Sequence, residues 1–209
     1  MSIVKLNNQG VKNATAFGSI SSLGSMVFIK KLTASSSATL SFVDGSDGVV
    51  LDDTYKEYLF TFKNIHPSVD DPNFTFQANA AGGSGYNETM TTTTFTAYHT
   101  EAGDLTGLSY STGSDQAQGT AFQSIAPLIS NANDSCSSGY LYLFDPSSTV
   151  FVKHFMAETY QFDIHPTGTY ATPQHTSGYF NTTSAIDEIQ FKMSSGNIDA
   201  GDICLYGIA

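Results

Sequence analysis

The chain reads as all-β: an antiparallel β-sandwich or jelly roll of about ten strands with an extended N-terminal arm. Three observations carry that reading. Short apolar or threonine-rich runs recur at close spacing, separated by clusters of Gly, Pro, Asn, Asp and Ser. Several runs alternate apolar and polar residues with the period of two that marks a half-buried strand. Helical periodicity is almost absent. At 209 residues the chain is long enough to bury a core without staples.

Residues 1–25 read as an arm and linker, and residues 26–209 as the sandwich domain. Ile3, Val4, Leu6, Val11 and Phe17 make the arm apolar, and Ser19–Ser25 is a Ser/Gly-rich joint. Met26–Leu32 is the first strand, apolar and β-branched. Ala38, Leu40 and Phe42 alternate with Thr39 and Ser41, and Asp44–Gly48 is a turn. Tyr55–Ile65 is the strongest central strand. Tyr58, Phe60 and Phe62 share one face, with Leu59 and Ile65 assigned to the other, so both faces are expected to be covered. His66–Pro67 ends it, because proline cannot extend an interior ladder.

Phe74 and Phe76 open the next strand, and Ala81–Gly85 is a glycine-rich turn. Thr89–His99 is threonine-rich, which suits a strand better than a helix. Leu105–Ser111 is a further strand. Ser111–Ala132 is the hardest stretch to read; a short helix is expected around Phe122–Ile129, limited by Pro127. Tyr140–Phe144 reads as a near-continuous buried strand. Asp145-Pro146-Ser147-Ser148 is a tight turn, and Val150–Tyr160 returns from it as a hairpin. Thr167–Ser177, rich in Thr, His and Pro, reads as a loop. Ile189, Phe191 and Met193 then alternate with Glu188, Gln190 and Lys192. Ser194–Gly201 is a turn, and Ile203, Leu205 and Tyr206 form the last strand.

Composition bounds the partners. The formal net charge is −11, and all eight basic residues are lysine. Arginine's planar fork is the usual grip on phosphate, so its absence, with the acidic balance, argues against nucleic acid. No run is long enough to span a membrane. The first residues carry no apolar signal core, so synthesis and folding in the producing cell's cytoplasm are expected. Cys136 and Cys204 are too few and too far apart for a disulfide scaffold, and two free thiols are expected.

Chemistry-bearing patterns are sparse. Asp44-Gly-Ser-Asp-Gly lacks the spacing and closing acid of a calcium loop. His66, His99, His154, His165 and His175 lack zinc-ligand spacings. Gly82-Gly-Ser-Gly-Tyr misses the G-x-S-x-G nucleophile elbow at its last position. Glu88, Glu101, Glu158 and Glu188 are available for glycoside hydrolysis, but none has a distinctive context. No catalytic residue, metal site or cofactor site is expected. Tyr160, Tyr170 and Tyr179, with His175, make a candidate aromatic platform for sugar rings; packing at the sandwich edge is the competing account.

Five longer blocks carry a resemblance. They are ASSSATLSF at Ala34–Phe42, YKEYLFTFKNIHP at Tyr55–Pro67, DQAQGTAFQ at Asp115–Gln123, SGYLYLFDPSSTVFVKHF at Ser138–Phe155 and KMSSGNIDAG at Lys192–Gly201. Over nearly the whole chain these resemble virion structural proteins of tailed phages of marine bacteria, cyanophages among them. Asp202 and Cys204 depart from the pattern before the closing Leu-Tyr-Gly. The resemblance implies a particle component and brings no catalytic residues with it. A capsid decoration (cement) protein is the expectation, working as a homo-oligomer, for which a trimer is the guess, against the major capsid protein or tail components. The alternative is a tail-fibre module that recognises host-surface glycan; a glycan-degrading enzyme is a distant third.

Overall fold

The structure is a computed structural model, and it describes residues 25–165 and 168–209. The arm residues Ile3, Val4, Leu6, Val11 and Phe17 lie outside the described residues. Twelve strands and no helix occur among the described residues. In chain order they are β1 (Met26–Thr33), β2 (Leu40–Val43), β3 (Glu57–Pro67), β4 (Phe74–Ala80), β5 (Met90–Thr100) and β6 (Thr106–Tyr110). β7 (Gln123–Ala126), β8 (Ser137–Phe144), β9 (Lys153–His165), β10 (Gly168–Phe180), β11 (Ile186–Met193) and β12 (Ile198–Ile208) follow. All neighbouring strands pair antiparallel. They form an eight-stranded sheet, β1-β12-β3-β8-β9-β10-β5-β6, and a four-stranded sheet, β2-β11-β4-β7. The two sheets pack into a β-sandwich.

The core between the sheets is aromatic. Tyr58, Phe60 and Phe62 of β3 are buried, as expected, with Leu141 and Leu143 of β8 and Ile203 and Leu205 of β12. Phe191 of β11 sits at the centre, with ring centroids 5.4 Å from Phe60, 5.3 Å from Phe62 and 5.8 Å from Phe74. Such edge-on and offset pairs add to the gain from burial alone. Toward β5 and β10 the interior turns polar: Thr92, Thr94, Thr159, Gln174 and Thr176 are all buried on the inner face. They work as hooks. Thr159 donates its hydroxyl to the carbonyl of Ile125, and Gln174 Nε2 donates to the carbonyl of Ser124 at 3.1 Å, tying β7 to the large sheet. Lys153 is also buried, its ammonium capped by the carbonyls of Phe151 (2.7 Å) and Thr182 (3.3 Å). Burial pushes its pKa down.

Four expectations are corrected. The segment around Phe122–Ile129 is the strand β7 rather than a helix, because its carbonyls are taken up by these cross-sheet donors. Of the expected loop Thr167–Ser177, Thr167 lies outside the described residues and 168–177 belong to β10, an interior strand. Pro173 is accommodated where the register between β10 and β5 lapses, between Ala171 and Gln174, so its missing N–H costs no ladder bond. Ile65 does not share a face with Leu59. A bulge at Asn64 (φ 52°) turns Ile65 into the core, while Leu59 looks outward. Tyr140–Phe144 is not buried throughout: Leu141 and Leu143 face the core, and Tyr140, Tyr142 and Phe144 remain half-buried on the other side. Cys136 and Cys204 are free thiols, as expected.

Candidate assembly face

The two sheets treat their outer faces differently. Thr75, Gln77 and Asn79 of β4 point away from the core, yet all three are buried. The loop before β5 and the segment 111–122 cover them. Gln77 Nε2 donates to the carbonyls of Glu88, Thr120 and Ala121 at 3.0–3.1 Å. Tyr86 donates its hydroxyl to Glu188 (2.7 Å), and the Lys192 ammonium sits 4.2 Å above the Phe122 ring. The outer side of β4 is thus capped by the protein's own chain.

Among the described residues nothing covers the outer face of the eight-stranded sheet. Register fixes which residues it carries, because directly paired residues in a ladder point to the same side. One row runs Phe28, Tyr206, Leu59, Tyr142, Met156, Ser177 from β1 to β10. The next runs Thr61, Tyr140, Glu158, His175, Phe95, Tyr110 from β3 to β6. Seven of the twelve exposed large apolar side chains among the described residues lie here: Met26, Phe28, Phe95, Leu108, Tyr110, Met156 (54 % exposed) and Tyr160 (52 %).

The aromatics are ordered by one another. Phe28 packs edge-on to Tyr206 at 5.7 Å, Tyr140 to Tyr142 at 5.6 Å, and Phe95 stacks on the imidazole of His175 at 4.8 Å. One carboxylate is set among them. Glu158 Oε2 accepts the hydroxyl of Tyr140 at 2.8 Å and lies 3.4 Å from Nδ1 of His175. The bond to Glu158 raises the Tyr140 pKa, and burial adds to it. Two shallow troughs, of ≈170 and ≈380 Å³, meet at Met156 and Ser177.

The proposed sugar platform is divided by this geometry. Tyr160, His175 and Tyr179 share the open face, with His175 opposite Glu158, Tyr179 opposite His154 and Tyr160 opposite Pro173. Tyr170 pairs with Thr100 and Asp163 and points to the inner side of the sheet. Of the carboxylates weighed for hydrolysis, Glu158 is on the open face, and Glu88 and Glu188 are engaged in the cap over β4. Among the described residues no three His, Cys, Asp or Glu side chains converge as a metal site.

Tyr142, Phe144, Met156, Phe95, Tyr110 and Phe28 were not singled out in the sequence. A signal was present: in Tyr140-Leu-Tyr-Leu-Phe144 the leucines form one row and the aromatics the other. Tyrosine tolerates both packing and water, so a tyrosine row beside a leucine row suits a half-exposed sheet face. Comparison of the chain with protein families, with curated proteins and with solved structures finds no match in any of the three.

Proposed function

We propose that this chain is a non-enzymatic structural protein of a tailed-phage virion, a capsid decoration protein that seats the open face of its eight-stranded sheet on the particle. The observation that carries the reading is the gathering of Met26, Phe28, Phe95, Leu108, Tyr110, Met156 and Tyr160 on one face. Large apolar patches rimmed by polar groups mark interaction surfaces, and aromatics and methionine are enriched in their centres. The cover over β4 by the chain itself contrasts with this face, which nothing among the described residues covers. The resemblance of the five sequence blocks to virion proteins supplies the kind of partner, a major capsid protein. In this reading the copies form a homo-oligomer, a trimer, and the apolar arm with Ile3, Val4, Leu6, Val11 and Phe17 is a second anchor.

Copy number tests the proposal. The chain is quantified against the major capsid protein in purified particles of the phage that encodes it. Decoration requires hundreds of copies per particle. A few to a few tens of copies would overturn it in favour of a tail-fibre module recognising host-surface glycan. That second reading draws on the shared placement of Tyr160, His175 and Tyr179 on the open face.

A further inference from the structure

The inner face of β5, β9 and β10 runs on past the end of β7, and there it lines a cleft of ≈350 Å³. We infer that this cleft is a binding site for a single neutral sugar ring in the pyranose form. Its size matches the small end of ligand pockets, enough for one ring and not for an oligosaccharide. It lies on the opposite side of the sheet from the docking face, so the inference holds whether the chain sits on head or tail.

The walls are apolar. Tyr98 and Tyr170 meet edge-on with ring centroids 6.0 Å apart, and Leu105 and Leu128 form the rim. The floor is polar. Gln161 lies opposite Thr172 and Asp163 opposite Tyr170 in the β9–β10 ladder, and all four residues line the cleft. Gln161 is only 5 % exposed. Its Nε2 donates to the carbonyl of Pro127, which fixes the amide's orientation, and its Oε1 is buried with no donor among the described residues. A buried acceptor without a donor is costly, and a ligand hydroxyl would relieve that cost. Asp163, which has a contact of its own, lines the cleft beside it.

Apolar walls over a buried acceptor fit a ring that has a C–H face and O–H donors. Phosphate and carboxylate ligands do not fit, because they bring no donor for the buried amide oxygen of Gln161. The rim is also held in place. Leu128 adopts a left-handed backbone (φ 50°), unusual for a leucine. It is pinned by its own N–H on Asn73 Oδ1 (3.1 Å) and by the next N–H, of Ile129, on the carbonyl of Pro72 (3.0 Å). Its side chain is nevertheless 49 % exposed at the cleft mouth. Non-glycine residues in this region cluster at ligand clamps.

The test is an NMR titration of the full chain with the methyl pyranosides of glucose, galactose, mannose and N-acetylglucosamine, and with methyl glucuronide. The blocked anomeric carbon imitates a terminal residue of a glycan; the free sugars, run in parallel, separate that source from a soluble monosaccharide. At least one neutral pyranoside is expected to saturate in the millimolar range, shifting Tyr98, Tyr170 and the Gln161 side-chain amide. Tyr98→Ala is expected to weaken it by about tenfold, the usual worth of an aromatic contact. Leu128→Ala, at an exposed position that leaves the core untouched, is expected to weaken it several-fold and decides the matter if Tyr98→Ala does not fold. The assignment is overturned if no neutral pyranoside saturates, if the shifted resonances lie away from the cleft, or if neither variant changes the affinity. Glucuronide binding as tight as glucoside would overturn the neutral specificity.

Discussion

The side-chain amide of Gln77 lies 3.0 Å from the carbonyl of Thr120, and Gln77 is wholly buried although it points away from the sandwich core. That pairing lets the segment 111–122 cap the outer side of β4. Gln77→Leu keeps the volume and removes the donor from the Glu88 and Thr120 carbonyls. Leaving buried acceptors unpaired costs about 1–3 kcal/mol. At about 2–4 °C per kcal/mol for a chain of this size, the melting temperature should fall by several degrees. An unchanged melt by circular dichroism would show that the cap does not depend on this residue.

Phe191 touches the rings of Phe42, Phe60, Phe62, Phe74 and Phe76. Phe191→Ala leaves a cavity where five rings meet and should cost about 3–5 kcal/mol. Chemical denaturation is the measurement, and the midpoint should shift with little change in slope. A loss below about 1 kcal/mol would mean that the core closes around the gap and is less rigid than described.

Alkaline pH should unfold the protein through Tyr58. Its phenol is wholly buried and donates to the carbonyl of Asp52 at 3.0 Å. Burial, with the nearby Asp52 charge, raises its pKa well above the ordinary value of 10.0. Above pH 10 the unfolded chain therefore loses a proton that the fold retains. The stability present below pH 10 declines as pH rises toward the folded value, by up to about 1.4 kcal/mol per pH unit for this one group. Tyr58→Phe should be less stable at neutral pH, by the one lost hydrogen bond, and should lose less stability above pH 10 than the wild type. Parallel curves for the two proteins across that range would rule the mechanism out.

Much of the fold was legible because burial on one side only writes a period of two. Ile189, Phe191 and Met193 show it, as do Tyr58, Phe60 and Phe62, and all six are buried. The stretches that misled are those where chemistry and burial part company. β10 presents Gln174 and Thr176 to the interior and carries Pro173, so it has a loop's composition in an interior strand. β7, Gln123-Ser-Ile-Ala126, is buried on both sides and too short to write a period, and its Gln123 is held by the Thr92 hydroxyl and the Ser114 carbonyl. The open face was hidden for the opposite reason. Tyr140, Tyr142 and Phe144 are as apolar as a core row, so the strand read as buried on both sides. Local sequence also could not place Tyr170, because its side of the sheet depends on a long-range register with Thr100 and Asp163.

Removal of residues 1–20 should leave the sandwich intact. Among the described residues the core cluster is drawn from Ile29 onward, and the strands begin at Met26. The truncated chain should keep its far-UV spectrum and melt within about 2 °C of the full chain, the range of a change outside the core. In the proposed role it should fail to load onto particles. Full loading would place the anchor on the sandwich alone.

The docking face itself is tested by Met156→Asp combined with Tyr160→Asp. Both side chains are more than half exposed, so the fold should tolerate the change within about 0.5 kcal/mol each. Two carboxylates at the centre of an apolar contact should prevent it from closing. The decisive measurement is the occupancy of the folded double variant on purified particles, relative to the major capsid protein. A fall of about tenfold or more is predicted, corresponding to at least 1.4 kcal/mol of lost contact. Wild-type occupancy by a normally folded variant would contradict the account, because the open face of the eight-stranded sheet would then not be the surface that docks.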